Sequence, residues 1–182
     1  MTKMIVFYAV ALTFTGEVAK ELSRLREKYN RYVSYTIEPH LTLEYPFVPE
    51  VDLSIINEKL KAVARRTRPF TLVLSGIEYF EGTSNVAYVA VENKRTVVDL
   101  HTDIVYSLKG LIGEGDKEGY KLERFIPHVT IGECIPSEVF PTVKKRLSDY
   151  ELHYESEIVS FVLFSVGKDE KWEPARVFEL SG

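Results

Sequence analysis

The sequence predicts an α+β protein of two similar lobes built on antiparallel sheets, and three observations carry that prediction. Short runs of alternating apolar residues interleave with stretches of helical spacing along the 182 residues. Two pairs of such runs are separated by compact polar turns, as β-hairpins are. The order strand, helix, short histidine-bearing strand, helix, hairpin also occurs twice, imperfectly.

Each element follows from local pattern. Residues 3–13 alternate and form the first strand. Residues 17–29 have helical spacing, with Val18, Leu22 and Leu25 on one face and charges on the other. Residues 40–45 form a short strand between Pro39 and Pro46. Ser54 fits the N-cap of a helix that carries Ile55, Ile56, Leu60 and Val63 and ends near Arg68 and Pro69. Residues 70–80 and 86–91 form a hairpin across the polar turn 81–85. In the second cycle residues 95–111 are helical and 113–119 are a polar, glycine-rich loop. Residues 128–133 form a strand preceded by Pro127, and 137–150 form a helix. Residues 155–166 and 175–180 complete a last hairpin that turns at Gly167, Lys168 and Asp169. No stretch reads as a linker, so residues 1–182 are taken as one bilobal domain.

Composition narrows the function. With 45% hydrophobic and 27% charged residues, the chain is that of a soluble globular protein. The apolar run from Met4 to Leu12 is too short to span a membrane and lacks a signal-peptide cleavage site. Cys134 is the sole cysteine, which excludes an intramolecular disulfide and a thiolate metal cluster. The expected location is the cytoplasm and the expected state a monomer. A net charge of −4 and a pI of about 5.7 argue against gripping long duplex nucleic acid, which calls for a basic face.

The chemistry lies in Pro39-His40-Leu41-Thr42-Leu43 and Pro127-His128-Val129-Thr130-Ile131, 88 residues apart at matching places in the two cycles. On a strand, residues i and i+2 face the same way. His40 and Thr42 therefore share one face while Leu41 and Leu43 take the other, and the second copy repeats the split. One such copy is most simply a histidine bonded within a sheet. Two copies, with the same proline and the same apolar positions, point to one shared site.

These motifs resemble the doubled His-x-Thr-x signature of the two-histidine phosphoesterases, the 2′-5′ RNA ligase-like superfamily. The resemblance extends over His-Leu-Thr-Leu-Glu-Tyr-Pro-Phe at 40–47, Pro69-Phe70, and Phe-Ile-Pro-His-Val-Thr-Ile-Gly at 125–132. It implies a bilobal, pseudo-symmetric fold, two antiparallel sheets flanked by helices, with the motifs facing each other across a central cleft. It also implies His40 and His128 as catalytic residues, and Thr42 and Thr130 as phosphate-binding ones. Many relatives carry a basic residue just after the second motif, where this chain has Gly132 and Glu133. Glu44 extends the His40/Thr42 face and would bring negative charge towards a phosphate.

Such residues suit cyclic phosphodiester chemistry. Opening the ring takes a base for water on one side of phosphorus and an acid for the departing sugar oxygen on the other. Histidine serves either role near neutral pH. The threonine hydroxyls can donate to non-bridging oxygens as charge builds there. No metal or other cofactor is called for. The expected substrates are RNA ends bearing a 2′,3′-cyclic phosphate, or a small cyclic-phosphate nucleotide, hydrolysed or reversibly ligated in RNA processing. Arg124 is a candidate for an added phosphate contact, and Tyr8 and Tyr45 for stacking on a base. Arg24, Arg26, Lys28 and Arg31 read as a solvated helix face, and His101 as a core histidine. Two other readings are a phosphodiesterase for a different cyclic nucleotide or ADP-ribose phosphate, and a non-catalytic module binding nucleotides or RNA ends.

Overall fold

A computed structural model describes residues 7–33, 37–113, 124–166 and 171–182. The turn at Gly167–Asp169, most of the 113–119 loop and the first residues of the opening strand lie outside these. The chain runs β1 (Phe7–Thr13), α1 (Gly16–Tyr29), β2 (His40–Phe47), α2 (Leu53–Arg66), β3 (Phe70–Phe80), β4 (Asn85–Val91) and α3 (Lys94–Leu108). It continues β5 (His128–Ile135), α4 (Phe140–Leu147), β6 (His153–Ile158), β7 (Ser160–Val166) and β8 (Trp172–Glu179). Two antiparallel four-stranded sheets result, ordered β2-β1-β7-β8 and β5-β4-β3-β6. The fold is α+β and bilobal, as expected, and no described helix is long and apolar enough to cross a membrane.

The lobes are not successive halves of the chain. One sheet takes its strands from the two ends of the sequence and the other from the middle, and the helices are exchanged. Helix α1, which precedes β2, packs on β5 and β6, whereas α3, which precedes β5, packs on β2 and on α2. The alternation of the motif strands explains the burial. Leu41, Leu43, Val129 and Ile131 are fully buried in one continuous apolar core with Leu22 and Leu25 of α1 and Val97 and Ile104 of α3.

Four boundaries differ from the sequence pattern. Strand β2 continues through Pro46 to Phe47. It is an edge strand with its register shifted between Tyr8 and Val10, and a proline without an N–H is tolerated there. The cap of α2 is Asp52, whose carboxylate accepts from the Ser54 N–H at 2.8 Å. Helix α4 is shorter than 137–150, since residues 137–139 form a turn ahead of Phe140. The single strand expected at 155–166 is two strands broken at Val159: β6 closes one sheet beside β3, and β7 lies inside the other between β1 and β8.

Helix α1 sits unusually close to β5. A Cβ on Gly132 would lie 2.8 Å from the Tyr29 carbonyl oxygen, a distance real Cβ atoms do not reach. Next to it the Glu133 N–H donates to Asn30 Oδ1 at 3.0 Å. Gly132→Ala should therefore destabilise the fold by on the order of 1–3 kcal/mol in chemical unfolding. Equal stability would mean that α1 is not pressed on the strand.

The core histidine His101 is fully buried, stacks on Phe125 with centroids 3.8 Å apart, and donates from Nδ1 to the Leu43 carbonyl at 2.6 Å. Burial holds its pKa below the ordinary 6.5, against the opposing effect of that hydrogen bond. The unfolded chain takes up this proton more readily, so its stabilising contribution is full above pH 6.5 and drains as pH falls. His101→Gln keeps a donor but does not titrate. Its unfolding free energy should fall less steeply with acidification than that of the wild type.

Candidate active site

Both motif histidines occupy the first residue of an edge strand, and those two edge strands, β2 and β5, run alongside each other where the sheets meet. Each imidazole is held in the same way. His40 Nδ1 lies 2.9 Å from the Glu38 carbonyl oxygen, and His128 Nδ1 lies 2.7 Å from that of Ile126. In both, the acceptor stands two residues back, across a buried proline, Pro39 or Pro127. A carbonyl oxygen can only accept, so Nδ1 carries the hydrogen and Nε2 keeps its lone pair. The doubled motif thus yields two neutral imidazoles of the same tautomer.

Thr42 lies opposite Ala11 on β1, and Thr130 opposite Tyr88 on β4; both are partly exposed. Ala11, Val162, Phe164 and Trp172 form a small apolar cluster apart from the main core. Trp172 stacks on His40, with centroids 5.9 Å apart and planes 25° from parallel. On the other side Phe80 and Tyr88 stack on each other at 4.3 Å and meet the His128 ring edge to face at 5.1 and 5.2 Å. The Tyr88 hydroxyl donates to Glu78 Oε2 at 2.9 Å.

Local sequence pattern does not reveal these aromatic walls. Parity alone would put Phe80 on the core face of Leu72 and Leu74; the register shift between Leu74 and Ile77 changes its face, and the pairing of β3, β4 and β5 brings it and Tyr88 to His128. Tyr8, a candidate for base stacking, instead shares its strand face with Val10 and Leu12, packs against the core and meets Phe47 at 6.4 Å. Tyr45 is partly buried next to the register shift of β2. Arg124 is exposed on the segment leading into β5. Cys134 is exposed at positive φ, 52°, with Sγ 3.7 Å from Ser84 Oγ.

Electrostatics follow from burial. His40 is pushed down to about 4, first by desolvation and further by the positive charge of Arg26 and by His128, while the Glu38 bond opposes the shift. His128 is also lowered by desolvation, opposed by its bond to Ile126 and by Glu133. Arg26, expected on a solvated helix face, is buried, and its Nη1 donates to the Thr130 carbonyl at 2.8 Å. Strand parity alone would have Glu44 add negative charge beside His40. The register shift between Val10 and Ala11 interrupts the simple alternation there, and burial lifts the carboxyl to about 7. Among the described residues no three His, Cys, Asp or Glu side chains gather as ligands for a metal.

Known proteins resemble this chain in sequence and in fold. A protein of Oceanobacillus iheyensis provisionally named a phosphoesterase is 28% identical over 174 residues, covering 95% of this chain and 97% of its own. One of Bacillus cytotoxicus with the same provisional name is 29% identical over 157 residues, 86% of each chain. Among solved structures, TT0787 of Thermus thermophilus superposes with a TM-score of 0.71 at 22% identity, covering 97% of this chain and 98% of that one. LigT of E. coli, solved with 3′-AMP, gives 0.64 at 16% identity, covering 99% and 100%. At those identities the two structures speak for the fold alone. The family model of the 2′-5′ RNA ligase superfamily matches residues 14–170, a span that holds both histidine motifs, and the chain belongs to that superfamily.

Proposed function

We propose that this protein is a phosphoesterase that opens 2′,3′-cyclic phosphates at RNA ends, with His40 and His128 as its acid–base pair. The observation that carries the reading is the doubled latch. Two imidazoles on neighbouring edge strands each spend Nδ1 on a backbone carbonyl and offer Nε2. One Nε2 accepts the proton of an attacking water as the new P–O bond forms. The other, protonated, gives its proton to the ribose oxygen that leaves as the ring P–O bond breaks. Thr42 and Thr130 donate to the non-bridging oxygens, where charge grows. By microscopic reversibility the same groups could join a cyclic end to a 5′-hydroxyl.

Supporting context comes from LigT of E. coli, whose structures include complexes with 3′-AMP and with phosphate. A nucleobase beside the phosphate would find a flat platform in Trp172, and Arg124 is the candidate for an outer phosphate contact. The acidic chain fits recognition of one terminal nucleotide better than of a long backbone.

The test is incubation with short RNAs ending in 2′,3′-cyclic phosphate, with separate detection of 2′- and 3′-phosphates. His40→Ala and His128→Ala should each lower turnover on the order of 10²–10⁴. The double variant should lose far less than the product of the two, since the groups act as a unit. Thr42→Val and Thr130→Val should cost less. A folded His40→Ala or His128→Ala protein with near-wild-type turnover would falsify the mechanism.

The pH profile should be bell-shaped. The base must be neutral, so kcat/KM should fall on the acid side only well below pH 6.5, and near 4 where His40 is the base. A bound anionic phosphate stabilises the protonated imidazoles, so the kcat profile should lie at higher pH than that of kcat/KM. Turnover should persist in EDTA. Activity lost in EDTA and restored by zinc or manganese would replace this reading with a metal hydrolase.

A further inference from the structure

Arg26 of α1 belongs to neither motif. The residue is 8% exposed, and Nη1 donates to the Thr130 carbonyl at 2.8 Å, on the strand that carries His128. Its neighbours on the helix behave as surface residues: Lys20 pairs with Glu17 and Arg24 with Glu21. A guanidinium keeps its charge at every physiological pH, and removing it from water is costly unless its donors are satisfied and its field is used. The bond to Thr130 supplies one such partner and holds the charge beside a motif residue.

We propose that Arg26 is a positioning residue of the reaction: its buried guanidinium pins the Thr130 segment of β5 and supplies fixed positive charge beside Thr130, where an anionic phosphate must sit. The inference rests on the function proposed above for its meaning, although two of its readouts need no turnover.

Around His40 stand Arg26 of α1, whose charge lowers its proton affinity, His128 of β5, the uncharged Trp172 of β8 and the Glu38 carbonyl. Around His128 stand Glu133 of its own strand, Phe80 of β3, and Tyr88 of β4, whose hydroxyl holds Glu78. The cation disfavours protonation of His40 and favours an anion beside it, and one buried group does both. The same guanidinium satisfies an edge-strand carbonyl, in line with Tyr29 over Gly132 and Asn30 at Glu133. Loss of Arg26 should therefore disturb the phosphate site in charge and in position together.

The experiment compares wild type, Arg26→Lys and Arg26→Gln by NMR titration of the imidazoles, calorimetric binding of inorganic phosphate, and kcat/KM on a cyclic-phosphate RNA. In Arg26→Gln, His40 should titrate at higher pH. Phosphate should bind at least about tenfold more weakly, and kcat/KM should fall by a similar factor or more. Arg26→Lys should restore the titration and much of the phosphate binding, because it returns the charge without the planar fork. A folded Arg26→Gln protein with unchanged His40 titration and phosphate affinity overturns the proposal. Should that variant not fold, Arg26→Lys decides: because it keeps the charge, phosphate affinity within about threefold of wild type is expected, and a loss of about tenfold or more overturns the proposal. Titration and phosphate shifts in a protein that turns over no cyclic phosphate would uphold Arg26 as the residue that charges an anion site and reject the reaction instead.

Discussion

Two sheets meet in this protein through edge strands, and an edge strand must find partners for the N–H and C=O groups that no neighbouring strand takes. That constraint shapes the molecule. On β5 the Thr130 carbonyl is satisfied by Arg26 and the Glu133 N–H by Asn30, both from the end of α1. On β2 the Leu43 carbonyl is satisfied by His101 of α3. Each helix thus serves the motif strand of the opposite cycle, α1 on β5 and α3 on β2. The exchange locks the two lobes into a single apolar core and leaves His40, Thr42, His128 and Thr130 outside it, partly exposed.

The same constraint explains why the site is both buried and poised. Each histidine heads its strand, where a proline turns the chain so that the carbonyl two residues back can receive Nδ1–H. This bond costs little freedom and fixes both tautomer and ring direction, the two properties an acid–base pair needs held. Aromatic rings then limit water around each imidazole, Trp172 at His40 and Phe80 with Tyr88 at His128. Desolvation favours the neutral form of both rings in the free protein.

Much of this was legible in the chain. Period-two alternation at 40–43 and 128–131 separates a core face from a chemical face, because pleating imposes that split on any strand. The repeated Pro-His-x-Thr, standing at matching places in two cycles, marks the pair as one unit before any coordinates are considered. Helical spacing located α1, α2 and α3 for the same local reason. What local pattern could not supply was partnership. The split at Val159, which sends β6 and β7 to different sheets, leaves no break in alternation strong enough to see. Arg26 looks like its exposed neighbours Arg24 and Lys28, since one helical turn of sequence does not say which strand the helix will cover. Tyr8 and Trp172 are both aromatic residues of strands. Only the sheet order turns Tyr8 to the core and lays Trp172 on His40. By itself, then, the sequence determined most of the elements and the two faces of each motif strand, which depend on contacts within a few residues. The tertiary structure alone decided which helix covers which strand and which rings meet each histidine, because those are set by pairings between residues far apart in the chain, such as Arg26 with Thr130.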